Sequence, residues 1–307
     1  MSVTLTAAEA AKILKISKYT FYELVKRGEI PAYHIGRQLR VEPAVLDAYL
    51  KGTVGLNTSQ PAGTTATATT PGAPAIRFVG SHDPVIELLF EFLKHSASTV
   101  ESSVSFKGSI DGLIALYRRE AEITGIHLWD EESQDYNISF VKHIVLGESV
   151  CIVNLIQREQ GFIVAPGNPL NLQTWDDITK EGTQFINRQK GSGTRLRLDT
   201  YLKSAKILPA RIVGYEHEEN THFGVACRVA SGQADVGLGV KAAAQRFGLG
   251  FVHLFSERYD LVCLKKITKS SIWKQLMEVL RSPGFIQAVR QFEGYDTSLT
   301  GKVLLDE

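Results

Sequence analysis

From Gly52 to Ala75 the chain reads GTVGLNTSQPAGTTATATTPGAPA, without a single charged residue and rich in Thr, Ala, Gly and Pro. Such a stretch offers too little apolar surface to build a core and too many turn-formers to sustain a helix. It therefore separates a head of 51 residues (1–51) from a body at 76–307, with 52–75 as a flexible linker, and each part is read by itself. Flexible-chain scaling gives that linker a reach of about 25–30 Å. Charge divides at the same place. The head holds eight basic and five acidic residues, a balance of +3, while the rest of the chain carries −2. A small basic unit tethered to a slightly acidic larger one points to nucleic-acid contact by the head alone.

The remaining composition is that of an ordinary globular protein, 44% hydrophobic with net charge +1. Cys151, Cys227 and Cys263 sit in apolar runs without metal-ligand spacing, as small core residues do. The first residues lack a basic-then-apolar leader, and no apolar run approaches the ~20 residues of a membrane span. These features predict a cytoplasmic protein.

In the head, Thr6-Ala7-Ala8-Glu9 forms a capping box that opens a helix directing Ala10, Ile13 and Leu14 to a core and ending near Lys15. Ser17 caps a second helix, with Phe21, Leu24 and Val25 on its buried face and Gly28 as its stop. Alternation around Ile35-Gly36-Arg37 predicts a β-hairpin, and Pro43 begins a third helix through Val45, Leu46, Tyr49 and Leu50. The run Lys26-Arg27-Gly28-Glu29-Ile30-Pro31-Ala32, followed by Gly36-Arg37-x-x-Arg40, resembles the winged helix-turn-helix of excisionase and MerR-like DNA-binding domains over nearly the whole head. That resemblance implies a second helix in the major groove presenting Lys18, Tyr19, Tyr22 and Lys26, with Arg37 and Arg40 on the wing against phosphates or the minor groove. A domain of this size binds DNA weakly alone, so a homodimer on a palindromic operator is expected.

The body alternates β-like runs with amphipathic helices, Ile76–Gly80, Pro84–Lys94, Val104–Lys107 and Gly112–Glu120. This is the rhythm of βαβ units around a parallel sheet. Three strand-to-helix turns are rich in Gly and Ser. The first is Gly80-Ser81-His82-Asp83-Pro84, in which Asp83 is the expected N-cap. The second spans Phe106 to Gly112 and the third Asn187 to Arg195. A fourth element, Glu219-Asn220-Thr221-His222, reads as a capped helix entry. Each exposes N–H groups and a hydroxyl at the positive end of a helix, a ready place for an anion.

The segments NRQKGSGTR, VASGQADVGLG, APGNPL and SPGFIQAVRQFEGYD make the body similar to type II periplasmic binding proteins, nearest the molybdate-binding-like group, from Ile76 to about Leu304. The resemblance implies an α/β fold of two lobes beside the small N-terminal domain. Lobe one would take 76–146 plus 265–307 and lobe two 150–259, with crossing strands near Cys151–Val164 and Tyr259–Leu264. A ligand between the lobes would meet Ser81, His82 and Ser109 from one side, and Ser192, Gly193, Thr194 and Arg195 from the other. Thr221 and His222 would complete the ring, and Tyr259 would reach in from the hinge. Neutral oriented donors suit a dianion such as molybdate or tungstate. His82, His222 and Arg195 would equally fit a small carboxylate or a phosphorylated metabolite. Arg195 has a second use, an ion pair with Asp199 four residues on, and Ser192 and Thr194 a second use as helix caps.

The two resemblances together describe a ligand-responsive transcription regulator, not an enzyme, without cofactor or metal. Its partners would be a double-stranded DNA operator, a small anion and a second copy, and no membrane. A body that only dimerises, or an enzyme on the binding-protein fold, are the alternatives. No P-loop follows Gly191-Ser192-Gly193, no Gly-x-Ser-x-Gly elbow occurs, and Ser/His/Asp combinations appear only as scattered residues. The His217 and His222 spacing of five does not put two imidazoles on one helical face. Trp129-Asp130-Glu131-Glu132 is expected on an exposed loop.

Overall fold

The computed structural model describes residues 4–14, 21–22, 24–25, 30, 32–35, 38–43, 45–46, 75–96 and 101–307. The chain divides into an N-terminal unit and a larger C-terminal one.

In the N-terminal unit, β1 (Leu5–Thr6) leads straight into α1 (Ala7–Ile13). The capping box is present in full: the Thr6 hydroxyl accepts from Glu9 N at 3.2 Å, and the Glu9 carboxylate accepts from Thr6 N at 2.8 Å. A hairpin of β2 (Tyr33–Ile35) and β3 (Gln38–Val41) follows, with Ile35 opposite Gln38. β1 pairs β3 as well, Leu5 opposite Val41, which makes a three-stranded sheet where the sequence predicted only a hairpin. Ala10, Leu14, Phe21, Leu24, Ile30, Leu39, Val41 and Leu46 form one core, with Val25 and Val45 packed on it. Ile13 departs from expectation. It is 49% exposed, because Ala7, Ala10, Ala11 and Leu14 already fill the i, i+3, i+4, i+7 stripe. The expected second-helix start at Ser17, its stop at Gly28, and Tyr49 and Leu50 lie outside the described residues, as do 52–74 of the linker.

The larger unit is a two-lobed α/β fold of the periplasmic-binding-protein kind. β4 (Ala75–Gly80), α2 (Pro84–Ser96), β5 (Glu101–Phe106), α3 (Ser109–Tyr117) and β6 (Ile123–Ile126) build the parallel part of lobe one. A short hairpin of β7 (Trp129–Asp130) and β8 (Asp135–Tyr136) follows, then α4 (Ile138–Ile144). The acidic run at Trp129–Glu132 thus enters the turn of a hairpin, not a plain loop. Two strands of fifteen residues, β9 (Val150–Val164) and β13 (Gly250–Leu264), run antiparallel through the middle of the sheet. Between them lobe two places β10 (Phe185–Arg188), α5 (Gly193–Ser204), β11 (Glu218–Glu219), α6 (His222–Ala230), β12 (Val236–Val240) and α7 (Lys241–Arg246). The chain ends with α8 (Ser271–Arg281), α9 (Pro283–Val289), and two short strands on β9, β14 (Tyr295–Asp296) and β15 (Val303–Asp306).

Separate apolar clusters hold the lobes. Leu113, Leu116, Ile126, Leu128, Ile152 and Val262 pack in the first; Phe162, Leu172, Phe185, Leu198, Val236 and Leu238 pack in the second. A continuous polar layer lies where the two meet. The sheet order β11-β10-β12-β9-β13-β6-β4-β5 makes β9 and β13 the only strands shared by that path's two halves among the described residues. Residues midway along them therefore face both lobes.

Candidate functional site

Lobe one contributes from the ends of its parallel strands. Ser81 follows β4 and donates its backbone N–H to Gly125 O at 2.9 Å. A Cβ at Gly80 would lie 2.6 Å from Gly125 N, so only glycine lets these strands close up and hold Ser81 where it is. Asp83 caps α2, its Oδ1 accepting from Val85 N at 2.7 Å. Ser109 opens α3 and accepts from His127 N at 3.3 Å. Lobe two contributes Arg188 from the end of β10 and the first turn of α5, where Ser192 caps the helix through Arg195 N at 3.2 Å. Thr221 accepts from Gly224 N at 2.8 Å, and His222 begins α6. The hinge strands add Arg158, Gln160, Glu257 and Tyr259. All of these except Thr221 are buried, none more than 2% exposed among the polar side chains.

The lobes touch closely. Ile110 N donates to Gly191 O at 3.3 Å, and a Cβ on Gly108 would lie 2.9 Å from the same oxygen. A Cβ on Gly193 would lie 2.2 Å from His127 O and 2.5 Å from its Nδ1. His82 spans the gap as well, its ring edge-on to Phe106 of lobe one at 4.8 Å and to Phe223 of lobe two at 6.1 Å. Its Nε2 lies 3.4 Å from Glu87 without hydrogen-bonding alignment, and Nδ1 is buried without a partner.

One polar chain runs through the centre. Ser81 Oγ lies 2.8 Å from Nε2 of His127, and Nδ1 of that ring lies 3.0 Å from Glu257 Oε2. Glu257 sits directly opposite Arg158 in the β9–β13 register and forms an ion pair with it. Arg158 also pairs with Asp83, which accepts from the Tyr295 hydroxyl at 2.8 Å. Burial alone would raise the Glu257 carboxyl, but Arg158 and His127 outweigh it and hold the group down at about 2. Burial pushes His127 below its ordinary value, with Arg158 and Arg188 adding to the effect against Glu257. Its ring stacks on Tyr259 at 5.5 Å, and the Tyr259 hydroxyl donates to Ser81 O.

Arg188 differs from Arg158. Its guanidinium is buried, yet its acceptors are Glu219 O at 3.2 Å, Asn220 O at 3.0 Å and the His222 ring at 2.9 Å. No carboxylate pairs with it among the described residues. Burial, and then the Arg158 charge, bring it down from the usual guanidinium range to about 9. Burial likewise drives His222 well below its ordinary value, reinforced by Arg188 and Arg158. The carboxylates of Glu257, Glu219 and Asp83 oppose the Arg188 shift without touching the guanidinium, and a buried cation with no carboxylate in contact is costly, so this corner of the cleft favours a negative group. It lies against Asn220 and His222, where the chain enters α6.

Residues 90–281 match the model of the PBP superfamily domain, and residues 4–53 match that of a helix-turn-helix domain. The chain belongs to the PBP superfamily. The uncharacterized protein YvgK of Bacillus subtilis is 36% identical over 307 residues, spanning 98% of this chain and 97% of its own. Two solved PBP-type structures share the fold at 15% identity. A phosphate ABC transporter substrate-binding protein of Clostridium perfringens, with bound phosphate, gives a TM-score of 0.57 over 72% of this chain and 98% of that one. The tungstate ABC transporter protein of Geobacter sulfurreducens gives 0.52 over 71% and 98%.

The PBP fold gathers Ser81, His82, Ser109, Ser192, Gly193, Thr194, His222 and Tyr259 at the lobe junction. Thr221 stays half-buried at its rim as the cap of α6. Arg195 takes the second of its two expected uses: Nε lies 3.0 Å from Asp199 and Nη1 2.9 Å from Glu218, with the guanidinium over Tyr215. Tyr259 holds Ser81 and packs on His127 through its hydroxyl and ring. Sequence reading missed Arg158, Arg188, His127, Gln160 and Glu257. A usable signal existed for the hinge pair, since Gln157-Arg158-Glu159-Gln160 and Ser256-Glu257 interrupt long apolar strands with charge at inward positions. Of the expected DNA-contacting residues, Tyr22 is 42% exposed, and Arg40 donates to Thr4 O at 3.4 Å. Lys18, Tyr19, Lys26 and Arg37 lie outside the described residues. Also among the described residues, no group of three His, Cys, Asp or Glu is placed to hold a metal, and no helix is long and apolar enough to cross a membrane.

Proposed function

We propose that this protein is a cytoplasmic, ligand-responsive transcription regulator whose PBP domain closes on a small oxyanion of the molybdate or tungstate type. The observation that carries the reading is Arg188, a buried guanidinium with only neutral acceptors where the chain enters α6. On this reading Ser81, Ser109 and Thr194 would supply hydroxyls, and His82 and His222 ring nitrogens. The anions named for the two structural neighbours, phosphate and tungstate, belong to the same tetrahedral class.

The occupied carboxylates favour a fully deprotonated dianion. Asp83 takes Val85 N on one oxygen and Arg158 with Tyr295 on the other. Glu257 takes His127 on one oxygen and Arg158 with Gln160 on the other. Neither leaves an oxygen without a donor to accept the proton of a hydrogen phosphate. Molybdate and tungstate carry no such proton near neutral pH.

On this reading the ligand contacts both lobes and shifts the population toward the closed form. Closure then alters how two helix-turn-helix heads, joined through a dimer of the bodies, meet a palindromic operator. The tether that composition predicts at 52–75 would transmit orientation poorly, so control would run through dimer geometry or docking of head on body. Lys18, Tyr19, Tyr22, Lys26, Arg37 and Arg40 would face the DNA. Thermal unfolding of the full chain against molybdate, tungstate, sulfate, phosphate and small carboxylates tests the proposal. A ligand at 100 times its dissociation constant adds about 2.7 kcal/mol, roughly 5–10 °C for a body of this size. A shift with the oxyanions supports the reading, and a shift with carboxylates alone, or with nothing, rejects it.

A further inference from the structure

We propose that the anion and a proton bind this site together, the proton on Nε2 of His127, where it frees the Ser81 hydroxyl to donate to the anion. The inference rests on the oxyanion reading above and adds a second ligand to it.

The polarity of the Ser81–His127–Glu257 chain is fixed from one end. Glu257 is a carboxylate held by Arg158 and Gln160 on Oε1, so its Oε2 can only accept, and Nδ1 of His127 must carry the hydrogen between them. In the neutral ring Nε2 then has a bare lone pair, 2.8 Å from Ser81 Oγ. The single proton of the Ser81 hydroxyl lies on that bond. Ser81 offers only lone pairs to the space between the lobes, and an anionic oxygen there is repelled. If Ser81 turned away instead, Nε2 would be left buried without a partner. The ring cannot follow it. Tyr259 stacks on one face, Gly193 abuts the Nδ1 edge, and Ser109 holds the His127 backbone N–H.

Protonation of Nε2 resolves the conflict. The imidazolium donates to Ser81 Oγ from one nitrogen and to Glu257 from the other, and the hydroxyl proton turns to the anion. The balance is one proton taken from solvent and held in the complex. The groups facing the ring decide when this happens. Glu257 on β13 favours the charged ring. Arg158 on β9, Arg188 on β10 and burial oppose it, which keeps the free site neutral. His222 on α6, driven well below its ordinary value, adds no charge. A bound dianion offsets Arg188 and tips the balance toward the imidazolium. Affinity is therefore highest at low pH and falls as pH rises through the His127 pKa of the complex, by up to tenfold per pH unit.

The test is titration of the full-length protein with sodium molybdate near pH 7, in two buffers of different protonation enthalpy. Molybdate is a dianion throughout the range, so the ligand releases and takes up nothing itself. We expect uptake approaching one proton per anion, a dissociation constant rising between about pH 6 and pH 8, and neither effect in His127→Gln. Histidine-labelled nitrogen NMR of the wild-type chain gives the same answer should that variant fail to fold. One ring of the eight histidines should change from neutral to doubly protonated on adding molybdate. Binding with no proton uptake overturns the inference, as does uptake that persists in His127→Gln. No binding of molybdate at all is a different result and rejects the oxyanion reading itself.

Discussion

The guanidinium of Arg188 and the imidazole of His222 meet at 2.9 Å, both buried, and no carboxylate pairs with either among the described residues. The neutral ring accepts from the guanidinium, so Arg188 is hydrogen-bonded there with no opposite charge in contact. Arg158 is the contrasting case, fully compensated by Asp83 and Glu257.

That contrast predicts opposite phenotypes for two arginines. Arg158→Met strands two buried carboxylates and should cost about 3–5 kcal/mol, lowering the ligand-free midpoint by roughly 10 °C. Arg188→Met removes an uncompensated charge while leaving two carbonyls without a donor, so its ligand-free midpoint should change much less. Anion affinity, by contrast, should fall at least a hundredfold, about 2.7 kcal/mol, in line with a charged hydrogen bond and its Coulomb contribution. Calorimetry with and without molybdate reads both quantities. A large loss of ligand-free stability in Arg188→Met would show that its charge is satisfied internally.

Much of this arrangement could be read in the residues, and the part that could not has a physical cause. Thr6 with Glu9, Asp83 before Pro84, and Ser192 before Gly193 are local signals, because a cap acts within one turn of its own helix. The alternation of strands and helices in the body is local too and pointed to βαβ units, whereas the two lobes came from the resemblance to periplasmic binding proteins. Arg158 and Glu257 are 99 positions apart and become partners only through the β9–β13 register. His127 lies at the end of an apolar strand, where a histidine reads as a core residue until Ser81 and Glu257 are seen on its two nitrogens. Arg195 shows the reverse failure: its place in a Gly/Ser-rich turn suggested a ligand, yet the i, i+4 pair with Asp199 holds it.

Stability should depend on pH through the two depressed histidines. Burial and the arginines lower both His127 and His222 in the folded state, so the unfolded chain binds more protons as pH falls below about 6.5. Ligand-free stability is then lost on acidification from that point. Glu257 works in a separate window. Its folded value of about 2 lies below the ordinary 4.5, and its contribution, present above 4.5, is lost as pH falls from there through 2. Urea midpoints should fall between pH 7.5 and 5.5. A midpoint unchanged across that interval would mean that the rings bind as many protons folded as unfolded, and a midpoint that rises on acidification would mean that they already carry protons.

Closure should depend on the glycines where the lobes meet. A methyl group at Gly193 would press on His127 O at 2.2 Å, a backbone atom that cannot swing aside. The strain disappears if the lobes stay apart. Gly193→Ala should therefore weaken anion binding by at least tenfold while the apolar clusters within each lobe keep the unfolding transition close to that of the parent. An unaltered affinity would place the ligand somewhere other than between the lobes.

The head makes its own prediction, independent of any ligand. Thr6→Ala removes the hydroxyl that accepts from Glu9 N, leaves the Thr6 N–H on the Glu9 carboxylate, and should cost about 1 kcal/mol, a large fraction of what a core this small can supply. Its helix content, followed on the isolated transition of the head in the full chain, should melt several degrees earlier. Lys26→Ala and Arg37→Ala act differently. If Lys26 lies in the major groove and Arg37 on the wing, each loses a backbone contact, weakens operator binding across sequences, and lowers the salt slope by about 1. Gel-shift titrations at several salt concentrations separate the two effects: an affinity loss with an unchanged slope in Thr6→Ala marks a folding defect, and a reduced slope in the charge variants marks a phosphate contact. Affinity and slope both unchanged in Lys26→Ala and Arg37→Ala would move the DNA to another face of the head.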